Sequence, residues 1–207
     1  MIPKQIFFIW LGNNKPNYVD FSVNTFREVN PDFKIDLIEW KINDIENPID
    51  PILRSSVDSA IKENRKDRKF IQSVANIYRY KLLEKYGGIY LDCDTFPVRP
   101  FDDKLLNHDK FDVLISWGQN QFCVRDVFFI GTISLEELKK SKKHNNVFLY
   151  PHTECGNYNT LRDKFYNCTL KYGEYYGDPN FYYINHYHDF TWNPNNLRTP
   201  LCKYDRK

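Results

Sequence analysis

"KLLEKYGGIYLDCDTFPVRPFD", Lys81 to Asp102, joins the end of an amphipathic helix to a Gly-Gly pair, a short apolar run and two aspartates two residues apart. Just upstream, Ile71, Val74, Ala75, Tyr78, Leu82 and Tyr86 recur at about 100° per residue, which predicts one apolar helical face. Gln72, Asn76 and Arg79 stand at i, i+4 and i+7 and make a polar stripe along its border. Gly87 suits a left-handed helix end, and Gly88 lets the backbone turn sharply into a strand. Alternation in that strand predicts Tyr90, Asp92 and Asp94 on one side and Ile89, Leu91 and Cys93 on the other. Open α/β sheets take ligands at the carboxyl ends of their strands, where these carboxylates would lie. Two hard oxygen donors there suit Mg²⁺ or Mn²⁺, which leave coordination positions for water and substrate phosphates. For a bare D-x-D the plain alternative is an acidic strand exit.

Outward from this stretch the chain alternates helix and strand signals, so the expected class is α/β, a mixed Rossmann-like central sheet flanked by helices. "IFFIWL", Ile6 to Leu11, is continuously apolar and reads as a strand covered on both faces. A helix opening at Pro16, with Val19, Val23, Phe26 and Val29 on one face, follows it and stops at Pro31. A strand over Phe33 to Trp40 comes next, then helices over Ile52 to Asn64 and Lys69 to Tyr86. Beyond the aspartates, Asp112 to Trp117, Asp126 to Thr132 and Phe181 to Ile184 read as strands. Leu135 to Lys143 and Asn159 to Tyr172 read as helices, and the segment from Asn185 onward reads as irregular. At 207 residues one domain spanning residues 1–207 is expected, either alone or as part of a longer polypeptide.

The charge balance of 29 basic against 27 acidic residues argues against a nucleic-acid or membrane footprint. The basic runs Lys62 to Lys69 and Lys139 to His144 read as solvated faces. Five widely spaced cysteines with no C-x-x-C pair signal neither a zinc cluster nor a disulfide framework. A reducing, cytoplasmic setting is the expectation, with no transmembrane segment, since Ile6 to Leu11 is too short to span a bilayer. The triplet Asn167-Cys168-Thr169 matches a glycosylation acceptor and reads as chance. Neither G-x-x-x-x-G-K-[ST] nor G-x-G-x-x-G occurs, which disfavours another metal-dependent nucleotide transferase as the reading of the aspartate pair.

Taken together, "NIYRYKLLEKYGGIYLDCD" resembles the signature of glycosyltransferases with a DXD sugar-binding region, R-Y-x-x-L-x-x-x-G-G-x-Y-x-D-x-D. That family includes initiating mannosyltransferases, capsular-polysaccharide transferases and the cores of clostridial glucosylating toxins. The opening "IPKQIFFIWLG" is similar to the family's first strand, with Phe7 where a histidine is usual. "INHYHDFTW", Ile184 to Trp192, resembles its closing H-x-x-x-G-S-W segment, with Phe190 where glycine is common. The family usually carries Ser-Asp shortly before its arginine, where this chain has Ala75-Asn76, so a carboxylate charge is missing from the sugar side.

The resemblance implies a GT-A type fold and a metal-dependent glycosyltransferase that uses a nucleotide-sugar, a UDP-sugar above others, with a glycan or other hydroxyl acceptor. Ile9, Trp10 and Leu11 would receive the base, with plain core packing the alternative for Trp10, and Tyr90 would help hold base and ribose. Arg79 and Asn76 would face the diphosphate and donor sugar, and Thr191 and Trp192 would close over the diphosphate. Asp94 is the expected direct metal ligand, Asp92 a ligand or a bridge to metal-bound water and sugar hydroxyls, and His186 and His188 the candidates for a later ligand. An inverting reaction needs a carboxylate base, for which Asp126 is the first candidate and Glu154 the weaker one; a retaining reaction needs none. A nucleotide-sugar-binding module without turnover is the reading that competes, and only the Ala75-Asn76 departure favours it.

Overall fold

The computed structural model describes residues 2–62, 70–106, 113–117, 147–151, 153–154, 159–175, 179 and 183–187. The first strand, β1 (Gln5–Leu11), lies at the centre of a parallel three-stranded sheet. On one side it pairs in register with β2 (Lys34–Trp40), from Gln5 opposite Lys34 to Leu11 opposite Trp40. On the other it pairs with the two-residue β3 (Ile89–Tyr90).

The continuous apolar run of β1 supplies two cores at once, because successive side chains point to opposite faces. Ile6 and Phe8 are fully buried against α1 (Asn17–Val29), which contributes Tyr18, Val19, Val23 and Phe26. Phe7 and Ile9 enter a second core with Leu53, Val57 and Ala60 of α3 (Pro51–Lys62) and Val74, Tyr78, Leu82 and Leu83 of α4 (Phe70–Tyr86). A short α2 (Ile42–Glu46), unforeseen from the sequence, adds Ile42 and Ile45 to that second core.

The three helices expected before the Gly-Gly pair start and stop within a few residues of their predicted limits, but the apolar face of α4 is displaced. Ser73 and Leu83 are buried, whereas Tyr86 is 47% exposed and its ring meets that of Phe7 at a tilt of 43°, with centroids 6.3 Å apart. The helix leaves its axis there, at Gly87, whose φ of 66° is left-handed and whose N–H bonds to the Leu83 carbonyl at 2.7 Å. Gly88 has φ 100°, and a Cβ on it would lie 2.7 Å from the Gln5 backbone carbonyl oxygen.

The expected strand through the aspartates is corrected. β3 ends at Tyr90, and Asp92 to Thr95 forms a tight turn that enters β4 (Thr95–Pro97). β4 runs antiparallel to the last strand, β8 (Ile184–His186), which lies parallel to β7 (Thr153–Glu154). Asn185 and His186, expected in an irregular tail, are therefore strand residues. Four further elements are α5 (Asp103–Leu106), β5 (Val113–Trp117), β6 (Val147–Pro151) and α6 (Asn159–Tyr166), with β5 and β6 paired in parallel.

α6 stops six residues before its predicted end at Tyr172, counting from Tyr166. Cys168 adopts a left-handed φ of 56°, and the Thr169 N–H reaches back to the Lys164 carbonyl at 2.8 Å, closing a Schellman-type end. The Asn167-Cys168-Thr169 triplet is thus a helix terminus. The predicted strand over 126–132 and helix over 135–143 lie outside the described residues.

Replacing Gly88 with alanine combines a left-handed backbone with a backbone clash, and is expected to cost about 2 kcal/mol or more. Chemical denaturation of the variant beside wild type measures it; an unchanged midpoint would contradict the close approach of β1 and β3.

Candidate metal centre

β2 and β3 flank β1 on opposite sides, so the chain reverses its direction of strand addition at β1, and open α/β sheets bind ligands in the crevice beyond the carboxyl ends of strands at such a point. Gly12 follows the carboxyl end of β1, and Asp92 to Asp94 follow that of β3. The turn is closed by the Thr95 N–H and hydroxyl, both donating to the Asp92 carbonyl, at 3.2 and 2.7 Å. On its far side the Tyr187 N–H donates to the Asp94 carbonyl at 2.9 Å.

The β4–β8 ladder sets His186 opposite Thr95, and this register delivers the imidazole to the turn. His186 Nε2 lies 2.9 Å from Asp94 Oδ1, with the His186 side chain 4% and that of Asp94 16% exposed. Asp92, Asp94 and His186 each offer one ligand atom, and these atoms lie within 4.8 Å of one another. Octahedral Mg²⁺ or Mn²⁺ holds ligands at about 2.1 Å, hence roughly 3 to 4 Å apart, so a small contraction fits the three to a divalent cation. Two carboxylate oxygens suit Mg²⁺ or Mn²⁺, and an imidazole nitrogen beside them admits other divalent transition metals as well.

Two carboxylates with ligand atoms within 4.8 Å of each other repel by on the order of 3 kcal/mol or more at an effective dielectric of about 20. The structure meets that cost with separate partners. Arg79 Nη1 donates to Asp92 Oδ1 at 3.4 Å, and the Tyr90 hydroxyl donates to the same oxygen at 2.7 Å. Arg79 is buried on α4, its guanidinium 5.0 Å from the centre of the Tyr90 ring and bonded to the Asn76 side-chain oxygen. An arginine has no acceptor, so Asn76 must turn its carbonyl to the guanidinium and its amide away from it.

Burial first, and then the Asp92 charge, push the Tyr90 phenol well above its usual value against the opposing influence of Arg79. Tyr90 therefore stays protonated and remains a donor. Cys93 points the other way, its thiol donating to the Ile9 carbonyl at 3.3 Å. Burial and then the two flanking carboxylates hold it as a thiol, which removes it from the ligand set.

Of the residues expected at the site, Asp92, Asp94, His186, Arg79, Tyr90 and Asn76 come together. Gln72, the first member of the polar stripe, is exposed instead. Ile9, Trp10 and Leu11 divide between the sheet's two faces: Ile9 and Leu11 belong to the α3/α4 side with Tyr90, and Trp10 to the α1 side. Trp10 packs on the core, yet its indole N–H is buried without an acceptor among the described residues. Asp126, His188, Thr191 and Trp192 lie outside the described residues, and Glu154 stands in β7, in register with His186. Sequence reasoning missed Ser22, whose hydroxyl donates to the Thr95 carbonyl at 2.7 Å, because a serine inside an amphipathic helix carries no signal of its own.

Fold and site define an α/β protein with a cation-ready cluster beyond the ends of its parallel strands. Residues 16–112, just under half of the chain, match the family described as "Glycosyltransferase sugar-binding region containing DXD motif". No curated protein matches the chain. Among solved structures, it is similar to the PaToxG glycosyltransferase, 22% identical over 48% of this chain and 45% of that one, with a TM-score of 0.33. It is also similar to the catalytic domain of alpha-toxin from Clostridium novyi, 14% identical over 46% of this chain and 36% of that one, with a TM-score of 0.31. The chain thus spans less than half the length of either structure.

Exchanging His186 for alanine is expected to lower Mn²⁺ affinity at least about tenfold, the loss seen even when only a ligand's supporting partner is removed. Titration with Mn²⁺, followed by the paramagnetic signal of the free ion, checks this; equal affinity would take His186 out of the ligand set.

Proposed function

We propose that the protein is a metal-dependent glycosyltransferase of GT-A type, taking its sugar from a nucleotide-sugar, a UDP-sugar above others, for a hydroxyl of a glycan or similar acceptor. We place its reaction in the cytoplasm. The observation that carries the reading is the convergence of Asp92, Asp94 and His186 at the reversal point of the sheet, with Arg79 beside them. Mn²⁺ or Mg²⁺ held by those three residues would supply Lewis-acid stabilisation of the departing diphosphate.

The protein's own groups do the rest. Arg79 brings a second positive charge to the leaving group, and its contacts to Asn76, Asp92 and the Tyr90 ring hold the guanidinium ready before substrate arrives. Tyr90, kept protonated, orients Asp92. Asn76 presents its amide to the donor sugar. The base is received at the end of β1, by Ile9 and Leu11 on the α3/α4 face or by the Trp10 indole N–H on the α1 face. Thr191 and Trp192 close over the diphosphate, and His188 is the alternative to His186 as the later ligand. If the reaction inverts configuration, Asp126 is the base.

Asn76 in place of a carboxylate favours one second reading, a module that binds the nucleotide-sugar without turnover. Calorimetry of UDP- and GDP-sugars with Mn²⁺, Mg²⁺ or EDTA, on wild type and Asp94→Ala, tests the donor site. One donor is expected to bind only with metal, and the substitution to weaken it at least about a hundredfold, the scale of removing a charged partner. Binding that ignores metal and Asp94 would overturn the proposal. Slow release of UDP from that donor marks an enzyme; binding with no release marks the module.

A further inference from the structure

We propose that Thr95, anchored by Ser22, is the positioning residue of the cation site, holding the turn in the shape that brings both carboxylates to His186. The inference rests on the metal-site reading above. Thr95 is buried, and it touches three parts of the structure that must agree for the cluster to exist. Its hydroxyl donates to the Asp92 carbonyl at 2.7 Å, its own carbonyl accepts from Ser22 Oγ on α1 at 2.7 Å, and it faces His186 across the β4–β8 ladder.

The arrangement of these bonds gives the pair its role. Two like charges within 4.8 Å relax by opening the turn between them, and the turn's backbone bond, at 3.2 Å, is a long one. The Thr95 hydroxyl adds a shorter bond to the same carbonyl and so latches the turn closed. Ser22 is fully buried in α1, where a serine commonly bonds to the carbonyl one turn back. Here its hydroxyl reaches across to Thr95 instead, tying the turn to the layer that packs on β1. Neither hydroxyl reaches the ligand atoms, so both act through the turn.

Two substitutions at Thr95 separate positioning from packing. Valine keeps the branched shape that suits a strand and loses the donor; serine keeps the donor and loses a methyl group. If Thr95 merely fills space, serine is the worse change. If it positions the turn, valine is.

The experiment titrates the full chain with Mn²⁺ alone, for wild type, Thr95→Val, Thr95→Ser and Ser22→Ala, and records thermal midpoints in EDTA. Thr95→Val is expected to lose about tenfold in affinity, and Ser22→Ala to fall in the same direction, as when a ligand's supporting hydrogen bond is removed. Thr95→Ser is expected to stay within about twofold of wild type, its latch being intact. Valine binding like wild type, or serine losing more than valine, would overturn the positioning role and leave the metal site standing. A wild type that binds no Mn²⁺ overturns the metal-site reading and this inference with it. Should Thr95→Val not fold in EDTA, Ser22→Ala decides, since it removes one oxygen from a helix and leaves every atom of the turn in place.

Discussion

A seven-residue strand with apolar side chains on both faces has no surface to give to water, and the layout of the protein follows from covering it. One cover is α1, which follows β1 directly and returns the chain as β2. The other is the α3 and α4 pair, after which the chain must re-enter on the free side of β1, as β3. Two covers and one central strand therefore impose the reversal that opens a crevice at the strand ends. Among the described residues, the Asp92–Asp94–His186 cluster and the groups bonded to it lie beyond those strand ends or on the turn beside them.

What the strand ends receive is a pair of carboxylates partnered before any ligand is present. Asp92 is matched by Arg79 and by the Tyr90 hydroxyl, and Asp94 by His186. Each partner comes from a different element: α4, β3 and β8. The carboxylates are thus held close by groups whose own positions are fixed in two cores. A third layer supports them, where Phe165 of α6 stacks on Tyr187 at 4.8 Å and meets Phe96 edge-on at 6.1 Å. These rings press the end of β8 against β4, and so hold His186 in its register.

The α/β class, the central strand and the Gly-Gly turn were legible because each depends on local chemistry: an apolar run, a 3.6-residue period, a residue with no Cβ. The neighbourhood of Arg79, Asn76, Tyr90 and Asp92 was legible for the same reason, being built from one helix and the strand that follows it. The shape of the aspartate segment was misread as a continuing strand. Alternation predicts which side chains share a face only while the ladder lasts, and the ladder with β1 ends at Tyr90. β8 was placed three residues early and Asn185 was put in a coil, because a polar strand buried by pairing and by rings carries no periodic signal. Ser22 and Thr95 were invisible, since their partner is a backbone carbonyl or each other across 73 positions of sequence.

That separation bears on how the protein comes to exist. His186 meets Asp94 across 92 positions, whereas Arg79 meets Asp92 across only 13. Closing the longer span costs more chain entropy and, in a chain made from its N-terminus, is possible only after most of the sequence has been synthesised. The sheet around β1 can gather while the carboxylate pair still lacks its imidazole. A partly made chain therefore holds two members of the cluster where the finished one holds three. The order of assembly withholds the complete Asp92, Asp94 and His186 cluster from intermediates, and only a chain that has paired its last described strand acquires it.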